Sequence, residues 1–81
     1  MLDATALRNS SLQGAYMIMA ARSLGLGCGP MSGFDANKMD EAFWAGSTVK
    51  TNFICTLGHA DTSKTRPRNP RLSFEEACHL I

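Results

Sequence analysis

The stretch from Thr5 to Leu24 is apolar almost all the way round a helix. Leu12, Ala15, Tyr16, Met19 and Leu24 recur at three-to-four-residue spacing, which predicts one buried stripe. Met17, Ile18, Ala20 and Ala21 then fill most of the remaining circumference. A helix of that kind has to be covered on nearly every side. A chain of 81 residues offers few elements to do it. The cover is therefore expected from another part of a longer protein or from a second subunit. Gly25 stands where a left-handed cap would end the helix.

The rest of the chain predicts short elements. Gly25 to Gly33 is too glycine-rich for a helix, with Leu26 to Gly29 a candidate for a short strand. Asp35 reads as the N-cap of a helix through about Trp44, with Met39, Ala42 and Phe43 facing inward and Ala45-Gly46-Ser47 ending it. Val49 to Leu57 is the best strand, rich in β-branched and aromatic residues. Its run Phe53-Ile54-Cys55 is apolar on both faces and predicts a central strand. From His59 to Asn69 the chain is polar and basic, and Pro67 and Pro70 exclude a helix. Ser73 and Glu76 form a capping box that opens a last helix to Ile81. One good strand does not make a stable sheet. The pattern thus points to an incomplete α+β or α/β unit.

Composition narrows the function. A net charge of +1 draws the chain neither to nucleic acid nor to a membrane surface. No uncharged apolar run is long enough to span a bilayer, and no basic-then-apolar signal peptide follows Met1, so the cytoplasm is the expected compartment. Cys28, Cys55 and Cys78 are odd in number and lack CxxC spacing, which predicts free, mostly buried thiols. His59 and His79 form no HExxH pair, so no metal site is expected.

Two segments could carry chemistry. In Gly29-Pro30-Met31-Ser32-Gly33-Phe34-Asp35 a glycine-rich turn feeds a helix start. It is either a plain capped turn or a set of free N–H groups able to donate to an electronegative ligand atom. It is neither a GxSxG elbow nor a GxGxxG fingerprint after a strand, and spacing does not support a Ser32–His59–Asp61 triad. In Lys64-Thr65-Arg66-Pro67-Arg68-Asn69-Pro70-Arg71, four cationic side chains sit on a proline-stiffened stretch. That is either a solvated loop or a phosphate contact, since arginine offers planar paired donors. Interleaved aromatics are missing, so nucleic acid is not the expected partner. Nothing separates Asp61, Glu75 or Glu76 from surface carboxylates and caps, and no catalytic residue is assigned.

Several runs together resemble a known family. Asn9-Ser10-Ser11-Leu12-Gln13-Gly14-Ala15-Tyr16 leads into Ala20-Ala21-Arg22-Ser23-Leu24-Gly25-Leu26 and then the Gly29–Asp35 run. Phe43, Lys50-Thr51-Asn52-Phe53, Leu57-Gly58-His59-Ala60-Asp61 and Pro70-Arg71-Leu72-Ser73-Phe74-Glu75-Glu76-Ala77-Cys78 follow in order. The string resembles the C-terminal portion of the nitroreductase superfamily. It is most like the malonic semialdehyde reductase (3-hydroxypropanoate dehydrogenase) branch associated with pyrimidine degradation.

The resemblance implies an α+β fold, with helices packed on a mostly antiparallel sheet, of which residues 1–81 would be the C-terminal part of one domain. It implies a homodimer with FMN at the subunit interface, or completion by a complementary N-terminal chain. Hydride would come from NADH or NADPH and pass through the flavin to a small-molecule acceptor. In this branch that acceptor is the aldehyde of malonic semialdehyde, and elsewhere in the family a nitro compound or quinone. Pro30, Met31, Ser32 and Gly33 would lie against the flavin ring, with a backbone N–H donating near N5. Arg71, with Arg68 beside it, would contact the FMN phosphate. Ser32 replaces the glutamate of some relatives, and His59 replaces a tyrosine usual in the branch. The arginine-serine-arginine phosphate motif of the family's N-terminal half has no counterpart here. The resemblance therefore implies a partial chain: part of an oxidoreductase, or a non-catalytic flavin-binding or interaction remnant of one.

Overall fold

The computed structural model describes residues 2–81. Its elements are α1 (Leu2–Ser23), β1 (Gly27–Met31), α2 (Ala36–Trp44), β2 (Ile54–Gly58) and α3 (Phe74–Ala77). β1 and β2 pair antiparallel, from Gly27 opposite Gly58 to Met31 opposite Ile54. The result is a small α+β arrangement of three helices and a two-stranded sheet.

α1 starts about a turn earlier than its apolar periodicity, with Asp3 in the first turn, where negative charge suits the helix dipole. Its end is as expected. Gly25 adopts φ 79°, the Leu26 N–H donates to Ala21 O at 3.0 Å, and the Gly25 N–H donates to Arg22 O at 3.0 Å. Those two bonds are a Schellman closure, and a left-handed residue there favours glycine. Arg22 Nη1 adds a 3.0 Å bond to Leu26 O.

α2 is capped as its sequence predicts: Asp35 Oδ1 accepts from the Lys38 N–H at 3.1 Å. A type II turn ends it, with Ala45 at φ −54°, ψ 137°, Gly46 at φ 78°, and the Ser47 N–H on Trp44 O. α3 is shorter than predicted. The Cys78 N–H closes on Phe74 O at 2.8 Å, and Cys78 itself is extended. Leu80 and Ile81 are exposed, so no packing supports further turns.

The strands depart most from expectation. β1 runs on through Pro30 to Met31. Proline has no N–H, so the ladder bonds fall at the alternate pairs Gly27–Gly58, Gly29–Thr56 and Met31–Ile54. The amide positions of Cys28 and Pro30 then face outward on one edge, and those of Cys55 and Leu57 on the other. β2 begins only at Ile54, because Thr51 and Asn52 before it are bonded to the helices instead. The expected central strand has one neighbour among the described residues.

α1 packs on β1, where Cys28 Sγ lies 4.0 Å from Ile18 O. Phe53 packs against α1 at Gly14: a Cβ there would overlap its ring and fall 2.8 Å from Cε1. Little else is enclosed. Ala21, 7% exposed, is the one buried residue among those described, while Leu12, Tyr16 and Met19 are 61%, 79% and 71% exposed. The radius of gyration is 16.2 Å, against about 12 Å for a compact domain of this length. The accessible surface is 7559 Å², against about 4,800 Å² for a compact protein of 8.8 kDa. Nothing among the described residues supplies the cover that α1 needs. The thiols correct the expectation of burial for the same reason: Cys28 and Cys55 are half-buried and Cys78 is exposed.

Candidate functional site

Pro30 and Met31 form the end of β1, and Ser32, Gly33 and Phe34 join it to the Asp35 cap. The N–H groups of Ser32, Gly33 and Phe34 make no hydrogen bond among the described residues. Gly33 has no positive φ, and a Cβ built on it meets nothing within 4 Å. Neither backbone conformation nor crowding within the chain calls for glycine at this position. The turn is thus an exposed run of free donors beside a helix start, the arrangement that accepts an electronegative atom.

The basic segment lies on the surface. Arg71 Nη1 donates to Asn69 O at 2.8 Å, which leaves most of the guanidinium donors free, and Arg68 is exposed. No hydrogen bond among the described residues joins Arg68 or Arg71 to Pro30, Met31, Ser32 or Gly33. Asp61 is a turn former: its Oδ1 accepts from the Ser63 N–H at 3.1 Å and from the Ser63 hydroxyl at 2.6 Å. Ser73 Oγ accepts from the Glu76 N–H at 3.3 Å and donates to Glu76 Oε1 at 2.9 Å, so the capping box forms. Among the described residues no three His, Cys, Asp or Glu side chains converge to hold a metal, and no helix is long and apolar enough to cross a membrane.

The sequence reading missed a polar brace. The Thr51 N–H donates to Asp40 Oδ1 at 2.7 Å, and Trp44 Nε1 donates to Thr51 Oγ1 at 3.2 Å. Next along the chain, Asn52 Nδ2 donates to Ser10 Oγ at 2.8 Å and Ser11 Oγ at 2.9 Å. Residues 51 and 52 therefore tie α2 and α1 together. The run of three polar residues, Lys50-Thr51-Asn52, inside the strand pattern was the available signal. Asp3, Leu7, Ser10, Val49, Lys50 and Asn52 help line a cleft of about 490 Å³ beside this brace. A smaller cleft of about 200 Å³ lies at the far end of the strand pair, by Gly58 and His59.

The hydroxyl and backbone N–H of Thr51, with the Lys50 ammonium nearby, hold the Asp40 carboxyl below its ordinary value of 3.8. A lowered carboxyl stabilises the fold in its ionised form. That contribution is complete above about pH 4 and is lost as pH falls through the lowered value. Trp44 is the only tryptophan and sits on the brace, so its emission reports on release. An acid titration is expected to show a Trp44 transition below pH 4 that Asp40→Asn flattens. An identical transition in that variant would assign the change to another group.

No family model matches the chain. A relative from Ralstonia nicotianae is 60% identical over 80 residues, covering 99% of this chain and 41% of the relative. One from Ralstonia pickettii is 60% identical over 78 residues, and one from Cupriavidus pinatubonensis 59% over 78, each covering 96% of this chain and 40% of the relative. All three carry the name "Putative NADH dehydrogenase/NAD(P)H nitroreductase". The chain spans about 40% of the length of the curated relatives it matches. A likeness this high along nearly every residue supports the nitroreductase family for this stretch of protein.

Proposed function

We propose that the chain is the C-terminal, flavin-facing part of an FMN-dependent NAD(P)H oxidoreductase of the nitroreductase kind. Its acceptor is malonic semialdehyde, reduced to 3-hydroxypropanoate. One observation carries the reading. The free N–H groups at Ser32, Gly33 and Phe34 lie in the run where the resemblance expects a flavin, in a chain about 60% identical to NAD(P)H nitroreductase-named proteins.

FMN supplies the hydride chemistry when bound. The chain's own part is to bind and orient it. Pro30 and Met31 fix the backbone at the end of β1 beside the ring, and the turn at Ser32 and Gly33 offers amides to it. Arg68 and Arg71 offer guanidinium donors to the phosphate. A homodimer, or a complementary N-terminal portion, supplies the remaining walls. A second reading is a flavin-binding remnant without turnover.

An FMN titration of the purified chain, followed by flavin fluorescence with oligomeric mass recorded, tests the proposal. Saturable micromolar binding is expected, lost in Gly33→Val while the circular dichroism stays unchanged, because the added side chain meets only open space in the protein. Binding unaffected by Gly33→Val would remove the turn from the site. NADH oxidation with malonic semialdehyde then separates the enzyme from the remnant.

A further inference from the structure

Four consecutive residues hold both sides of the free-amide turn. Thr51 bonds α2 through Asp40 and Trp44, and Asn52 bonds α1 through Ser10 and Ser11. Phe53 lies on Gly14 of α1. Ile54 then pairs with Met31, the last rung of the sheet. Ser32, Gly33 and Phe34 hang between the two ends of this segment. Met31 fixes their near side, and the Asp35 cap of α2 fixes their far side.

The two sides are not held equally well. On the near side, β1 is paired with β2 along its length and packed on α1. On the far side, α2 buries no residue. Beyond its cap and closing turn, its hydrogen bonds to other segments among the described residues all go to Thr51. Asp40 Oδ1 takes the Thr51 N–H at 2.7 Å, and Trp44 Nε1 reaches the Thr51 hydroxyl at 3.2 Å. Asp40 lies about 7.5 Å along the helix from the Asp35 cap. A helix does not bend appreciably over so short a span, so a grip on Asp40 is a grip on the cap.

We infer that Asp40 and Thr51 are positioning residues for the turn. Their bond sets the direction of α2 and, through the Asp35 cap, aims the Ser32, Gly33 and Phe34 N–H groups. They act through the turn, not on the ligand. Donors are worth most when binding does not have to order them. Without the bond, the near side of the turn stays on the sheet while the far side swings with α2, and the ordering falls on the binding step. That the ligand is a flavin rests on the function proposed above; that the turn is aimed from Thr51 does not.

Nitrogen-15 relaxation of the full chain, without ligand, tests the positioning. In the unaltered chain the Ser32, Gly33 and Phe34 amides should be as ordered as the strands, with order parameters of about 0.85. Asp40→Ala removes the acceptor and should drop those three below about 0.6, while the β1 and β2 amides keep theirs. Asp40→Asn retains an acceptor oxygen and should restore the order. Flavin titration of the same variants adds a second readout. Asp40→Ala should weaken FMN and riboflavin alike, by about tenfold, because the ring-side turn is affected and the phosphate contact is not. Turn amides already disordered in the unaltered chain, or as ordered in Asp40→Ala as without it, overturn the inference. So does a loss of order spread evenly over the strands, which would make Asp40 a general stabiliser. If Asp40→Ala does not fold, Trp44→Phe, which removes only the indole N–H, decides by the same measure. Absence of flavin binding by the unaltered chain would sink the proposed function, while the relaxation data still decide the positioning.

Discussion

Arg71→Ala is expected to weaken FMN binding about ten- to 150-fold, the equivalent of roughly 1.5–3 kcal/mol for one lost charge-assisted hydrogen bond. The guanidinium is exposed and committed by only one N–H, to Asn69 O. It is held near the backbone but free to meet an anion. Arg71→Lys should fall between, since it keeps the charge and loses the planar fork. Fluorescence titration with FMN and with riboflavin, which lacks the phosphate, gives the deciding comparison. The Arg71→Ala loss should appear with FMN alone. Equal losses for both would mean that Arg71 acts on the loop and not on the phosphate.

Gly14→Val should destabilise the fold by about 1–3 kcal/mol, the usual range for overpacking. Helix propensity would argue the other way, since glycine inside a helix is itself unfavourable relative to alanine. Sterics win because the Phe53 ring lies on the Gly14 backbone, where even a single Cβ overlaps it. Denaturant titration followed by circular dichroism measures the loss. Combining Gly14→Val with Phe53→Ala should recover part of it, because the clash has then gone. A double variant no better than the sum of the two singles would show that Phe53 is not what Gly14 accommodates.

The local devices were legible in the sequence because each is written in adjacent residues. The Asp35 and Ser73 caps, the Gly25 closure and the Ala45-Gly46-Ser47 stop all formed as read. The strand bounds were not legible. Val49, Thr51 and Phe53 have strand propensity, but hydrogen bonds from Thr51 and Asn52 to distant helices compete for that backbone, and a local window does not contain those partners. Gly14 did carry a signal, an isolated glycine in a helical pattern, which often marks a close approach. At the candidate site the free amides after Met31 were readable from the glycine-rich turn before Asp35. Its relation to Arg68 and Arg71 depends on how a long polar loop folds, and that loop has little periodicity to read.

The Asn52 brace also bears on the order of folding. Its bonds to Ser10 and Ser11 span 42 and 41 residues of chain, and the strand pair itself closes across α2 and the residues around it. Helices form within about a microsecond, whereas contacts of such separation must first overcome loop-closure entropy. α1 and α2 are therefore expected early, and the Asn52 contact late. Contacts made after the rate-limiting barrier chiefly govern how fast the native state opens. Asn52→Ala is therefore expected to speed unfolding more than it slows folding, so that two serines near the start of the chain bear on the lifetime of an arrangement completed more than forty residues later.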